Sequence, residues 1–369
     1  MPASLLYRLQ ISGVRNLRQV RLDELGPVNV FFGPNGSGKT SALEAIHLLG
    51  MARSFRGNPR SLITHGESSC TVFGQLVQGN IGLGVEREMG GEARIRVSGN
   101  PIQSVSELVE YLPLQVINAD SFDLLNGPPA GRRRFLDLGV FHVEHGFYPQ
   151  WKRYQRGIKQ RNNLLRRGKI PDPQLPVWTR EVADTGEAIT SFRRAYFERL
   201  ATRFLSYVQS LAPALSGIEL RYRRGWDSKL ELIQALESSL VSDLDQGFTH
   251  VGPQRADVRV LIEGRPAAEV LSRGQQKLVV CALKLAQGEI MAEAGGRSCI
   301  YLIDDLPSEL DRHHAALVCS AIAAMDNIQA FVTCVEGDDL RSVWPPEKLE
   351  QLKMFHVEHG TITSVTIPD

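Results

Sequence analysis

The sequence predicts an α/β fold: a P-loop parallel sheet plus an antiparallel β-subdomain, with a short helical arm domain. Three observations predict it. Residues 33–40 spell a complete G-x-x-x-x-G-K-[ST] loop, Gly33-Pro34-Asn35-Gly36-Ser37-Gly38-Lys39-Thr40, between an apolar run at 28–32 and an apolar segment at 41–49. Short alternating segments recur over 70–97. Two long stretches with helical periodicity and few breakers, 147–169 and 176–211, then interrupt the strand-rich texture.

At the N-terminus Leu5, Tyr7, Leu9 and Ile11, then Val20 and Leu22, alternate as expected of a β-hairpin. The apolar strand, glycine-rich loop and helix that follow are the context that makes the loop a nucleotide site. Its glycines let backbone N–H groups crowd around a triphosphate. Lys39 is expected at the β- and γ-phosphates and Thr40 on Mg²⁺, with the helix N-terminus adding partial positive charge. Segments 71–77, 81–86 and 93–97, divided by Gly90-Gly91 and ended by Gly99-Asn100-Pro101, predict antiparallel strands. A buried strand is expected at 114–118. Helices of ~20 to 30 residues in the arm span about 30 to 45 Å, with a turn at 170–173. After Gly247 the texture is strand-like again. The predicted division is an ATPase head from 1–130 and 247–369, with 131–246 as the helical insertion.

At 369 residues the chain has room for two domains. Its 43% hydrophobic and 22% charged content is that of a soluble globular protein. No run of 18 apolar residues exists and residues 1–8 lack the apolar core of a signal peptide, so a cytoplasmic protein without membrane spans is expected. Five scattered cysteines without C-x-x-C read as buried small side chains in a reducing compartment. Net charge is only +1, yet 132–169 holds 11 basic residues against Asp137 and Glu144. That asymmetry points to an anionic partner, with Arg132, Arg133, Arg134, Lys159, Arg161, Arg166 and Arg167 as candidate DNA contacts. A solvated helix face is the alternative. The hexapeptide Phe-His-Val-Glu-His-Gly occurs at 141–146 and again at 355–360, without the partners a His-x-x-His metal pair needs.

Three later segments add chemistry. Residues 299–305 form an apolar strand ending in Asp304, placed to hold Mg²⁺, and Asp305, placed to orient or deprotonate attacking water. Ser308-Glu309-Leu310-Asp311 follows. In 271–277, Ser272 at a helix N-terminus, with Gly274 allowing close approach and Gln275 beside it, makes a second anion site; alone it is a capping motif. The strand 330–334 ends near Thr333, either a switch residue or a simple buried threonine.

Together these segments resemble ABC-type ATPases. Over nearly the full length the chain is similar to the RecF family, SMC-like ABC ATPases of bacterial recombination. The resemblance rests on 33–40 with Leu43-Glu44-Ala45-Ile46, on 124–128 leading into Arg132-Arg133-Arg134-Phe135-Leu136-Asp137, and on Lys159-Gln160-Arg161-Asn162. It continues through Gly252-Pro253-Gln254-Arg255-Ala256-Asp257, 271–277 with 281–289, and 301–311. It implies an ABC-type, SMC-like head that binds ATP and Mg²⁺ and dimerises on ATP, the signature around Ser272 of one subunit closing on the other's nucleotide. Lys39, Ser272, Asp304 and Asp305 are then the catalytic set. It also implies a weak DNA-stimulated ATPase of DNA repair, replication and the SOS response. Its expected partners are double- and single-stranded DNA at gaps, RecR and RecO, and indirectly RecA. Gln254 and Thr333-Cys334 depart from the family pattern; Gln115 and Asp120 are candidates for γ-phosphate sensing, and Arg15 and Asn16 for adenine. A transporter's nucleotide-binding subunit is the alternative, against which the 234 residues separating Gly38 from Ser272 speak. A nucleotide-gated scaffold without turnover is disfavoured by the full set of Lys39, Thr40, Asp304 and Asp305.

Overall fold

The computed structural model describes residues 6–57, 59–167, 173–296, 298–306, 310–326 and 328–365. Lys169, most of the predicted 170–173 turn, Ser308 and Glu309 lie outside the described residues. The chain divides into two compact units. The first comprises Met1–Phe122, Tyr207–Pro213 and Ser272–Asp369; the second comprises Asp123–Ser206 and Ala214–Leu271.

The strands of the first segment are β1 (Leu6–Val14), β2 (Leu17–Leu22), β3 (Val28–Phe32), β4 (Ser69–Leu76), β5 (Gly82–Glu88), β6 (Ala93–Val97), β7 (Asn100–Ile102) and β8 (Leu114–Ile117). The second unit holds β9 (Ile218–Arg223), β10 (Asp257–Ile262) and β11 (Arg265–Pro266). The first unit resumes with β12 (Cys299–Ile303), β13 (Ile328–Cys334), β14 (Leu352–Glu358) and β15 (Thr361–Val365).

In the first unit one sheet runs β15-β14-β3-β13-β12-β8, parallel except for the edge strand β15. β12 and β13 are buried at every residue, which is why they read as unbroken apolar runs rather than alternating ones. The other sheet runs β2-β1-β4-β5-β6-β7 and is antiparallel throughout. The N-terminal hairpin and the 70–97 segments thus share one sheet, because β1 pairs with β4 (Ile11 opposite Val72). Helix Lys39–Met51 packs against both sheets and is buried on every side rather than along one stripe. Gly50 meets the parallel sheet: a Cβ there would stand 2.5 Å from Leu114 Cδ1. Its neighbour Leu49 meets the antiparallel sheet at Gly74, where an added Cβ would lie 2.4 Å from the leucine.

The second unit contains helices Pro129–Val143 and Phe147–Leu165, most of helix Leu175–Leu211, and the antiparallel sheet β11-β10-β9. Residues 247–271, expected in the ATPase head, cluster here instead. The reason is pairing: β10 zips along β9 from Asp257–Arg223 to Ile262–Ile218.

The repeated hexapeptide takes two structures. At 141–146 it closes helix Pro129–Val143, and Gly146 (φ −74°) leads into the next helix. At 355–360 it ends β14, and His359 (φ 47°) and Gly360 (φ 79°) turn the chain into β15. The neighbours decide: the second copy is paired to Phe31 and Phe32 of β3 on one side and to β15 on the other. No group of three metal-ligating side chains occurs among the described residues. All five cysteines are free and buried. No described helix is long and apolar enough to cross a membrane.

Candidate nucleotide-binding site

Because β3, β13, β12 and β8 are parallel, their carboxyl ends open on one edge, the place where such sheets bind ligands. Phe32 leads into the P-loop there, Ile303 into Asp304, and Ile117 into Asn118. The edge is stitched by Gly33 N–H donating to Val335 O (3.0 Å) and Asp304 N–H to Ile117 O (2.9 Å).

The loop needs its glycines. Gly33, Gly36 and Gly38 have φ of +149°, +79° and +122°, which other residues rarely adopt. A Cβ on Gly33 would lie 2.1 Å from Val357 O. The loop is braced from behind: Asn16 Nδ2 and Gly360 N–H both donate to Ser37 O at 2.9 Å, and Ser41 Oγ donates to Asn16 Oδ1. The second hexapeptide copy therefore ends as a buttress of the P-loop. Arg15 forks onto the buried Glu44 carboxylate (2.8 and 2.9 Å). Asn16 and Arg15 are thus engaged in holding the loop and helix Lys39–Met51.

Lys39 Nζ donates to Gly33 O (2.6 Å) and Pro34 O (3.0 Å), so the ammonium sits inside its own loop. Phosphate oxygens are stronger, charged acceptors for it. Ser37 Oγ is buried without a hydrogen-bond partner among the described residues, the kind of orphan that a phosphate oxygen satisfies. Lys39, the glycine cradle and Ser37 therefore fit a triphosphate.

Thr40 Oγ1 donates to Asp304 Oδ1 (2.9 Å), which joins the P-loop to the acidic strand end and sets two oxygen ligands side by side, as Mg²⁺ requires. Thr333 Oγ1 donates to the same oxygen (2.8 Å) and accepts from Asp305 N–H (2.8 Å). Asp305 is held at φ 57°, a left-handed conformation that costs about 1–3 kcal/mol and persists only where surroundings enforce it. Thr333 supplies that enforcement. Thr333→Val keeps the shape but leaves Asp305 N–H without its acceptor. ATP turnover should fall about tenfold or more, since an unmet buried group costs ~1–3 kcal/mol, with ATP affinity changed little. Steady-state hydrolysis and nucleotide titration check this, and wild-type turnover would remove Thr333 from the role.

Gln115 is not at the strand end. It is buried in β8 with its Nε2 on Gln287 Oε1 (2.9 Å), so it cannot reach a γ-phosphate. Asp120 is exposed in the 3₁₀ turn beyond. Asn118 occupies the end itself, its Oδ1 accepting from Ser121 N–H and Oγ (3.1 and 2.8 Å).

Ser272 caps helix Arg273–Gly295: its Oγ accepts from Gln275 N–H (3.3 Å) and Gln275 Oε1 accepts from Ser272 N–H (3.0 Å). Ser272 is exposed and nothing crowds a Cβ built on Gly274.

The basic run divides by helix phase. Arg132 forks onto Asp257 (2.7 and 3.2 Å) and donates to Gly127 O (2.7 Å); Arg133 donates to Ala256 O (2.9 Å). Burial raises the Asp257 carboxyl, but hydrogen bonds from Arg132 and Arg259 outweigh it and hold it below the usual range. Arg161 is fully buried, its NH1 on Asp243 Oδ2 and Thr249 Oγ1, both 2.7 Å. Arg161 is therefore a structural ion-pair residue rather than a DNA contact, and Arg132 and Arg133 are engaged within the unit. Arg134, Lys159, Arg166 and Arg167 are exposed. The signal was present in the sequence: Tyr154, Gly157, Arg161 and Leu164 form one buried stripe at helical spacing.

The family of RecF/RecN/SMC N-terminal domains matches residues 5–363. The chain is 49% identical to the DNA replication and repair protein RecF of Stutzerimonas stutzeri (strain A1501) over 369 residues, 98% of each chain. It is 46% identical to RecF of Pseudomonas aeruginosa (strain LESB58) over 365 residues, again 98% of each. Among solved structures it is similar to the recombination mediator protein RecF-ATP of the RecFOR pathway, with TM-score 0.85 and 25% identity, covering 99% of this chain and 98% of the other. An Smc head bound to the C-terminal winged-helix domain of ScpA shares the fold, with TM-score 0.58 and 14% identity over 98% and 97% of the two chains.

Proposed function

Because the chain belongs to the RecF family of SMC-like ABC ATPases, we propose that it is an ATP-gated DNA clamp of recombinational repair. ATP and Mg²⁺ join two copies, and the pair grips duplex DNA beside single-strand gaps. There it helps RecR and RecO load RecA, in the cytoplasm, with weak DNA-stimulated turnover. Gly33 to Thr40 cradle the triphosphate, Thr40 and Asp304 hold the metal, and Asp305 orients the attacking water. Mg²⁺ held by Thr40 and Asp304 would neutralise phosphate charge there. Ser272, with Gly274 and Gln275, faces the nucleotide of the other copy, where a capped helix N-terminus adds positive potential.

The observation that carries this reading is the hydrogen-bonded chain from Thr40 through Asp304 and Thr333 to Asp305, which brings the oxygens that a metal and a water would need together beside the P-loop. The exposed Ser272 supports pairing, because a signature buried in its own unit could not meet a neighbour. Arg134, Lys159, Arg166 and Arg167 are the proposed duplex contacts; such phosphate contacts give affinity without sequence preference.

Titration of a gapped duplex with ATP, ADP or no nucleotide, read by light scattering and anisotropy, tests the proposal. ATP alone should produce a dimer and tighten DNA binding by about tenfold or more, the effect of a favourable coupling of ~1–3 kcal/mol. A monomer with equal DNA affinity in all three conditions would contradict it.

A further inference from the structure

The second unit contains a cleft of about 940 Å³ that the nucleotide site does not use. Five arginines, Arg194, Arg223, Arg224, Arg255 and Arg259, line it around Trp226. Arg194 comes from helix Leu175–Leu211, Arg223 from the end of β9, Arg259 from β10, and Arg255 from the Gly252-Pro253-Gln254-Arg255-Ala256-Asp257 turn. Two acids also line it, and one is already neutralised: Asp257 is gripped by Arg132 and Arg259. Arg194, Arg223 and Arg255 are exposed and form no ion pair with any described residue. Arg224 Nε is buried without an acceptor among the described residues.

The indole of Trp226 is held through both its N–H and its ring. Trp226 Nε1 donates to Leu230 O (3.1 Å), and the Arg224 guanidinium lies 4.4 Å from the ring centroid. Gly225 (φ +101°) lets the loop press on the Gly252 turn so closely that a Cβ would stand 2.2 Å from Gly252 O. The loop is thus fixed before any ligand arrives.

We propose that this cleft binds an unpaired DNA strand, phosphates on Arg194, Arg223 and Arg255 and a base stacked against Trp226. The inference rests on the repair reading above and deepens it, since a gap has both a duplex and a single strand to hold. Planar guanidiniums fork onto phosphates, and an ordered indole among them is the platform on which unpaired bases stack. A base inside a duplex cannot stack there, so the site selects single strands. An acidic protein segment would use the same charges but has no need of the indole.

The test uses the full chain with ATP and Mg²⁺, a labelled oligo-dT and a blunt duplex of equal length, read by anisotropy. Trp226→Leu should weaken oligo-dT binding about tenfold, the order of effect expected when one stacked base is lost, and leave the duplex unaffected. Arg223→Glu, at an exposed strand end, should weaken oligo-dT comparably and lower its salt slope by about 0.7 per lost phosphate contact. That second variant decides the matter if Trp226→Leu fails to fold. Unchanged oligo-dT affinity and slope in Arg223→Glu overturn the proposal. So does displacement of a labelled polyglutamate peptide, rather than oligo-dT, as the binding that the variants lose. If wild type binds neither DNA, the repair reading fails first; if it binds duplex normally and the variants bind oligo-dT normally, only the cleft proposal fails.

Discussion

Lys39→Ala should reduce ATP hydrolysis by a factor on the order of 10² to 10³ at saturating nucleotide, the range seen when a preorganised charge at a developing anion is removed. The ammonium is the charge that the loop aims at its own centre, 2.6 Å from Gly33 O and 3.0 Å from Pro34 O. Alanine keeps the helix start, because Gly38 rather than Lys39 occupies the cap, and the loop remains braced by Asn16 and Gly360. The fold should therefore survive, with thermal stability within a degree or two of wild type, while turnover is lost. Turnover measured at several ATP concentrations separates a binding defect from a chemical one. Wild-type turnover would take Lys39 out of the site.

Arg161→Glu should have the largest effect on stability. The guanidinium has no exposed surface and bridges three elements of the second unit: helix Phe147–Leu165 through Arg161 itself, helix Leu240–Gln246 through Asp243, and the 249–250 turn through Thr249. Asp243 is equally buried and also accepts from His250 N–H (3.0 Å). Reversing one charge places two carboxylates together in a water-free site and should cost at least the ~3–5 kcal/mol of a broken buried pair. Urea unfolding reads the loss. Arg161→Met combined with Asp243→Leu removes both charges and should recover most of it, since a buried pair is nearly replaceable by apolar groups of similar size. Arg166→Glu, five residues on and exposed, should leave stability nearly unchanged. A single Arg161→Glu variant as stable as wild type would return this residue to the surface cluster.

These two residues show what the sequence could and could not say. The strand-to-helix placement of Lys39 was legible because the loop is local: eight consecutive residues define the turn. The position of Asp304 and Asp305 was legible for the same reason, at the end of an unbroken apolar strand. Arg161 was misread because a charge count ignores helix phase, and phase alone distinguishes it from Lys159 two positions earlier. Thr333 was ambiguous because its role depends on two hydrogen bonds to a strand 28 and 29 residues away. Asn16 and Arg15 lie close in sequence to the P-loop hairpin, but their partners, Ser37 and Glu44, are known only once that hairpin folds over the loop. The hexapeptide repeat carries the same limit further. Six identical residues close a helix in one place and a strand in the other, so local propensity decides neither.

On the proposed function two chains share each nucleotide pocket, Lys39 from one and Ser272 from the other. Mixing Lys39→Ala with Ser272→Arg tests it most directly, with ATP hydrolysis on gapped DNA as the readout. Each variant alone should be inactive. In the mixture about half the dimers are mixed and one of their two pockets pairs an intact P-loop with an intact signature, so about a quarter of wild-type activity should return. If the mixture stays as inactive as its components, or if Ser272→Arg alone hydrolyses ATP normally, the pocket is complete within one chain and the shared-site account is wrong.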